Sequence, residues 1–513
     1  MGRNVQARPG LTSRTGATSA TGALGQSRGL AGQPRGLATL FLTEMWERFS
    51  YYGMRSVLIL YLVTAVQAGG FGFDDRTASA VYGLYIAATY VFALFGGWIA
   101  DRLLGAQTAI LVGGGLITAG NALLLLGPGD IFFLGLLVIV LGVGLLKPNI
   151  SVLVGTLYPE GGAQRDGARR DAGFSIFYLG ISVGALLGSV LVPLAVANFG
   201  WRLGFALPVF GMIFGLSQFL LTRRWLGPAA LPPPPKTRAG LSAWLPVVIL
   251  MGLVLVMIVL TLEHRVTLDP VRVGGAASWV IALCAVAYFA YLIFFAGLGQ
   301  AERSRVVVIA VLFSAYAAFY AGFEQGGASM NLFAERYTDR HILGWVMPAG
   351  VLQGTTALVT ILFAPLFAAL WLALGRRGWD PSPLLKFAAG LALLGLAALV
   401  MVAASRLVVA GAVVAPTWLL LTYLLQEWGD LCLSPVGLST ITKLAPPRYV
   451  GQLMGLWFLA IALGNNLAGQ LSGEYDASDL ASLPHLFTKI AVGSFVCGAV
   501  MLLLTPIMKR LVD

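Results

Sequence analysis

Charge is scarce in this chain: Asp, Glu, Lys and Arg make up 11% of its 513 residues, against roughly 25% in soluble globular domains. With 58% hydrophobic residues, its apolar stretches are too long and too frequent to be buried as soluble cores, which excludes a soluble enzyme. Cysteine is rarer still. Cys284, Cys432 and Cys497 all lie within apolar runs, so there is no disulfide framework and no zinc spacing. The three histidines, His264, His341 and His485, fall at the ends of runs or in loops, and none is a candidate proton site. No Walker A sequence exists to bind ATP, and Gly113-Gly114-Gly115 lies in an apolar run with no strand before it, so it is no dinucleotide fingerprint. No segment joins a nucleophile to a base and an orienting group; Ser434, for example, has no His near it. The sequence thus predicts neither an enzyme nor a bound cofactor or metal.

What is present is a long series of apolar runs. Residues 1–38 carry Arg3, Arg8, Arg14, Arg28 and Arg35, no acid and no long apolar core, which predicts a disordered cytoplasmic tail and no secretory signal. Beyond it, apolar runs cover about 39–66, 78–100, 108–127, 131–157, 172–198, 203–222, 242–262, 276–298, 306–332, 342–373, 385–405, 411–443, 450–472 and 486–508. Each approaches or exceeds the roughly 20 residues that span hydrocarbon as a helix. The sequence therefore predicts an all-α polytopic membrane protein with fourteen transmembrane helices. The run Leu231-Pro232-Pro233-Pro234-Pro235 reads as a stiff extended linker after the sixth span.

The net charge of +11 would suggest nucleic acid in a soluble protein, but the basic residues here mostly flank the spans. With the tail placed inside, 22 of the 33 Lys and Arg fall on its side and 8 on the other, while Arg48, Arg55 and Lys147 lie within spans. That bias puts both termini in the cytoplasm. Spans 7 and 8 hold almost no charge and separate two groups of six. The expected plan is an N-terminal bundle over 39–222, a linker with two peripheral inserted helices over 223–305, and a C-terminal bundle over 306–513, the two bundles enclosing a site at the midplane.

Charges inside the spans are costly, roughly 3 kcal/mol each on insertion scales, so each one kept is a functional candidate. In span 1, Glu44, Arg48, Tyr51 and Arg55 are spaced i, i+4, i+7, i+11, which places them in one narrow stripe with Glu47 beside it. That stripe must face protein or a wet cavity. Two acids and two arginines on one helix are expected to find partners on other helices, and Lys147 in span 4 adds a further cation. Span 9 offers Tyr320, Glu324 and Asn331 at i, i+4, i+11, and span 12 offers Glu427, Asp430 and Ser434 at i, i+3, i+7. Cations in the first half thus oppose acids in the second, which suits a zwitterion such as a peptide. Gly180, Gly184 and Gly188 form a small-residue ridge for helix packing, and Pro348, Pro365 and Pro435 are expected to kink their helices.

The segment Glu44-Met45-Trp46-Glu47-Arg48-Phe49-Ser50-Tyr51-Tyr52-Gly53 resembles the ExxERFxYYG motif of the proton-coupled oligopeptide transporters, a branch of the major facilitator superfamily. Gly96 to Arg102, Lys147-Pro148-Asn149, Phe177-Tyr178, Phe323-Glu324-Gln325 and Leu433 to Leu438 extend the resemblance over about residues 38–510. The inserted pair is similar to that of bacterial members. The resemblance implies the major facilitator fold. It also implies that Glu44, Glu47, Arg48, Lys147 and Glu324 couple protons, and that Arg55 and Lys147 hold a peptide carboxylate. Glu324 and Asp430 would receive the amine, while Tyr52, Tyr90 and Tyr178 line the pocket and Tyr320 and Trp457 wall it. Asn331 and Ser434 join this substrate set through their spacing. Two positions depart from the family pattern: Ser182 stands where FYxxINxG has Asn, and Gly429-Asp430-Leu431 replaces GEL, retracting the carboxylate by one methylene.

The function so implied is a symporter that imports di- and tripeptides with protons across the inner membrane by alternating access, expected to be a monomer with no nucleic-acid partner. One alternative keeps the fold and changes the cargo to an amine, drug, nitrate or glycoside; nitrate lacks the ammonium that Glu324 and Asp430 would meet. The other, a non-transporting membrane sensor, has little use for titratable charges in both halves.

Overall fold

A chain that crosses hydrocarbon must pair every backbone amide within itself, and helices do this segment by segment. The structure is a computed structural model that describes residues 32–158, 164–227, 252, 269–342, 344–379, 381–475 and 479–512. The first half comprises α1 (Arg35–Val63), α2 (Asp75–Ile99), α3 (Ala106–Leu124), α4 (Asp130–Thr156), α5 (Gln164–Phe199) and α6 (Trp201–Thr222). After it come α7 (Pro270–Phe294), α8 (Gln300–Phe323), the short α9 (Ser329–Tyr337), α10 (Gly354–Arg376), α11 (Pro383–Val409), α12 (Thr417–Leu444), α13 (Val450–Ser472) and α14 (Ser482–Val512). Thirteen of the fourteen expected spans are therefore helical. The seventh run, 242–262, lies outside the described residues apart from Gly252, as do the Pro linker and most of the tail.

Among the described residues, eleven helical segments are long and apolar enough to cross a membrane. The two long helices that fall short carry embedded charge: Glu44, Glu47, Arg48 and Arg55 in α1, and Glu427 and Asp430 in α12. Their environment explains this. In α1, Glu44, Glu47, Arg48 and Arg55 are all at least nine-tenths buried, so α1 is a central helix with little lipid contact.

Small residues let the helices approach closely. The ridge of Gly180, Gly184 and Gly188 on α5 lies directly on α1, where a Cβ on Gly184 would come within 2.1 Å of the Met45 carbonyl oxygen. Gly96 of α2 meets Gly144 of α4, the added Cβ falling 1.9 Å from its carbonyl oxygen. The two halves touch where Gly83 of α2 faces Gly469 of α13 and where Gly354 of α10 meets Val190 and Leu186 of α5. Asp74 caps α2, accepting hydrogen bonds from the Thr77 amide and hydroxyl.

Three expectations need correction. The tenth run does not begin as a helix at 342: His341–Ile342 and Trp345–Val346 pair as an antiparallel hairpin, and Pro348 starts the 3₁₀ turn Ala349–Gln353 ahead of α10 rather than kinking a helix. Pro365 and Pro435 do lie inside α10 and α12. The twelfth run becomes helical only at Thr417. Finally, span 9 is broken. A 3₁₀ turn, Glu324–Gly327, and Ala328 at φ −116°, ψ −103° separate α8 from α9, so the i, i+11 spacing of Tyr320 and Asn331 does not place them on one face.

The inserted helix α7 presents Trp279, Leu283, Val286 and Phe294 outward, while Ser278, Ile281 and Ala285 are buried. Ile281 packs with Ala87 of α2 and Ala462 of α13. Polar contacts fix it as well: Asn466 of α13 donates to the Gly274 carbonyl and the Ser278 hydroxyl at 2.7 and 2.9 Å, and Gln470 donates to the same hydroxyl at 2.7 Å.

The face opposite the tail is closed. Arg336, at the end of α9, forms a bidentate bridge to Asp75 of α2 at 2.7 and 2.8 Å, and Asn331 donates to the Ser56 carbonyl at 2.9 Å. Toward the tail, Tyr178 of α5 is 49% exposed.

We expect Gly96→Ala to destabilise the fold by about 1–3 kcal/mol, since the added methyl has only backbone to displace. Thermal unfolding of the detergent-purified protein measures this, and an unchanged midpoint would mean that α2 and α4 can slide apart without loss.

Candidate functional site

Three polar groups occupy the middle of the protein. The first is internal to α1. Arg48 Nε lies 2.7 Å from Glu44 Oε1 and 2.9 Å from Glu47 Oε2, and its guanidinium stands over the Tyr51 ring at 5.6 Å. The expectation that these acids need partners on other helices is thus wrong for Glu44 and Glu47: one turn of helix and one adjacent position bring both carboxylates to a single guanidinium. Lys147 of α4 forms no ion pair among the described residues. Its ammonium sits 3.9 Å from the centre of the Tyr90 ring, a cation–π contact.

The second group joins the halves. Arg55 Nη2 of α1 meets Glu324 Oε2 in the 3₁₀ turn at 2.6 Å, and Arg55 Nε donates to the Tyr82 hydroxyl of α2 at 2.8 Å. The turn makes room for this. A Cβ on Gly327 would lie 1.8 Å from the Tyr82 hydroxyl and 3.1 Å from Arg55 Nε, so glycine there lets both groups close on the backbone.

The third group lies on α12. The Ser434 hydroxyl hydrogen-bonds Asp430 and contacts the Tyr316 hydroxyl at 2.8 Å. Tyr316 stacks on Trp457 with centroids 3.9 Å apart. Glu427, one turn earlier, accepts from the Thr360 hydroxyl of α10 at 2.9 Å.

A cavity of about 140 Å³ lies between these groups. Tyr52, Arg55, Tyr90, Tyr178, Ser182, Tyr320, Glu324 and Asp430, all singled out from sequence, line it. Four others do not. Lys147 is behind Tyr90; Ser434 and Trp457 are behind Asp430 and Tyr316; Asn331 is fully buried and spends its amide on Ser56, because the break in span 9 turns it away. Glu44, Glu47 and Arg48 also sit outside the lining. The Ser182 hydroxyl reaches only the Tyr178 carbonyl of its own helix, at 3.5 Å, so its short side chain leaves the wall recessed at that point.

The sequence reading missed the wall from α10 and its preceding turn: Gln353, Thr356 and Thr360, together with Tyr423 and Gln426 of α12. A signal for them exists. Gln353, Thr356 and Thr360 are spaced i, i+3, i+7 in an otherwise apolar run, the same periodicity that exposed the stripe on α1.

Known proteins resemble this chain over nearly its whole length. The family model described as PTR2: POT family matches residues 107–492. The chain belongs to the POT family. The peptide transporter YePEPT of Yersinia enterocolitica is 40% identical, the match covering 94% of this chain and 96% of that protein. The di-/tripeptide transporter of Lactococcus lactis is 33% identical, over 94% of this chain and 97% of its own length. A crystal structure of a peptide transporter POT in complex with sulfate superimposes with a TM-score of 0.85 at 37% identity, covering 94% of this chain and 97% of that one. This POT family member is therefore a multi-pass membrane transporter with the major facilitator fold and not an enzyme. The cross-half bridge thus sits in the central cavity of a carrier.

Replacing Tyr82 by Phe leaves the Arg55 Nε–H without its acceptor in a buried setting, at an expected cost of about 1–3 kcal/mol. The fall should be measurable as a lower unfolding temperature of purified protein. An unchanged temperature would mean that solvent from the cavity replaces the hydroxyl.

Proposed function

We propose that this chain is a proton-coupled symporter that imports di- and tripeptides across the cytoplasmic membrane by alternating access, as a monomer with both termini cytoplasmic. The observation that carries this reading is the Arg55–Glu324 bridge, which ties the first half to the second within the cavity of a POT family transporter. Peptide as cargo is supported by the relatives, among them the di-/tripeptide transporter. The two bundles, 39–222 and 306–513, are the bodies that rock against each other in this reading.

Proton and peptide compete for the same charges. A proton on Glu324 removes one partner of the bridge, and Arg55 is then free to bind a peptide carboxylate with its planar fork. Asp430 receives the peptide amine. Tyr52, Tyr90, Tyr178 and Tyr320 supply hydroxyls and ring faces along the backbone of the cargo. Glu44, Glu47 and Arg48 form the second proton-sensitive set, with Lys147 close enough to share its field. Breaking a buried bridge by removing one partner costs about 3–5 kcal/mol, so the bridge reopens only when proton and peptide together compensate for it.

The test is uptake of labelled dialanine into proteoliposomes with and without an inside-alkaline gradient. Gradient-driven uptake that unlabelled di- and tripeptides block is the expected result; no uptake of any short peptide by folded protein would overturn the reading and point to amines, nitrate or glycosides. Glu47→Gln should abolish gradient-driven uptake while leaving part of the peptide exchange. Normal gradient-driven uptake by that variant would remove Glu47 from coupling.

A further inference from the structure

The cavity wall carries more carboxyl groups than a neutral peptide can use. Its lining carries one cation, Arg55, and three acids, Glu324, Glu427 and Asp430. Lys147 does not alter this balance at the wall, because its ammonium is held over the far side of Tyr90. Once a peptide carboxylate takes the place of Glu324 at Arg55, two acids remain on α12, and the single ammonium of the peptide can satisfy only one.

Asp430 already has the Ser434 hydroxyl on it. Glu427 is 5% exposed and accepts at Oε2 from the Thr360 hydroxyl. Its Oε1 has no partner among the described residues although the side chain lines the cavity. A buried carboxylate with one neutral hydrogen bond is poorly compensated, and a cation brought in by the ligand is the missing partner. The i, i+3 spacing puts the Cβ atoms of Glu427 and Asp430 about 5–6 Å apart on one face, so one ligand can meet both.

We propose that Glu427 and Thr360 form a second cation subsite in the peptide cavity, which takes the side-chain ammonium or guanidinium of a lysyl or arginyl residue. The inference rests on the peptide-carrier reading above. A dipeptide with one basic side chain brings one carboxylate and two cations, and these match Arg55, Asp430 and Glu427 one to one. A neutral dipeptide leaves Glu427 unpaired, and an acidic one adds a like charge beside it, which works against binding.

Competition against labelled dialanine uptake tests this, with alanyl-lysine, lysyl-alanine, dialanine and alanyl-glutamate as unlabelled competitors. The quantity read is the ratio of the inhibition constants for dialanine and for the lysyl peptides. The unmodified protein should favour the lysyl peptides by about tenfold, Glu427→Gln should bring the ratio close to one, and Thr360→Val should reduce it part-way. A ratio near one in the unmodified protein, or a lysyl preference that Glu427→Gln retains, overturns the proposal. If Glu427→Gln loses dialanine uptake, direct binding of the same peptides to the purified variant supplies the ratio. Failure of the peptide-carrier reading itself looks different: neither dialanine nor any lysyl peptide is then bound or taken up by the unmodified protein.

Discussion

An arginine that crosses from one half of the protein to a carboxylate in the other is the contact on which the remaining architecture depends. Arg55 reaches Glu324 only because α1 is central, and α1 is central because α5 presents glycines to it instead of side chains. The charged stripe of α1 is thereby kept away from lipid. The same helix also solves its own second problem. Arg48 serves both Glu44 and Glu47, so the most expensive cluster of charges in the sequence is closed within one helix, while Arg55, two turns further on, is left to bind the halves together.

That division was half legible. The periodicity of Glu44, Arg48 and Arg55 on an apolar background announced a buried stripe, and the family motif gave it a setting. Among the described residues, thirteen of the fourteen runs are helical, two of them starting later than run length suggested. Sequence spacing could not say which acid pairs with which base, because an i, i+4 contact and a long-range contact to Glu324 are both compatible with it. The two polar walls show the same limit. Tyr320 and Glu324 lie on a continuous helix up to the 3₁₀ turn and both reach the cavity; Asn331 lies past the turn, where a periodicity of 3.6 no longer applies, and it faces Ser56 instead. Ser434 sits one layer behind the surface that its spacing suggested, and Trp457 one layer behind the wall that the family resemblance implied, since Tyr316 fills the space between. The wall from α10 was passed over because threonine and glutamine carry no charge to draw attention in an apolar run.

The break in span 9 has a positive role beyond upsetting register. The 3₁₀ turn ends the helix at Glu324, and Gly327 leaves the backbone bare so that Tyr82 and Arg55 can approach it. Non-helical backbone at this depth is tolerated because protein surrounds it: Gln325, on the far side of the turn, donates to the Ala321 and Ala468 carbonyls and accepts from the Ser329 and Ser472 hydroxyls.

The bridge that closes the opposite face differs from the central one in its surroundings. Arg336 keeps 28% of its side chain in contact with solvent, whereas Glu324 is nearly sealed. Both pairs are in contact at far less than a Debye length of about 8–10 Å, so dissolved salt weakens the Arg336–Asp75 pair modestly and the more deeply enclosed Arg55–Glu324 pair less still. The two contacts between the halves thus differ in how far the medium reaches them: solvent touches the outer one, and protein encloses the inner one.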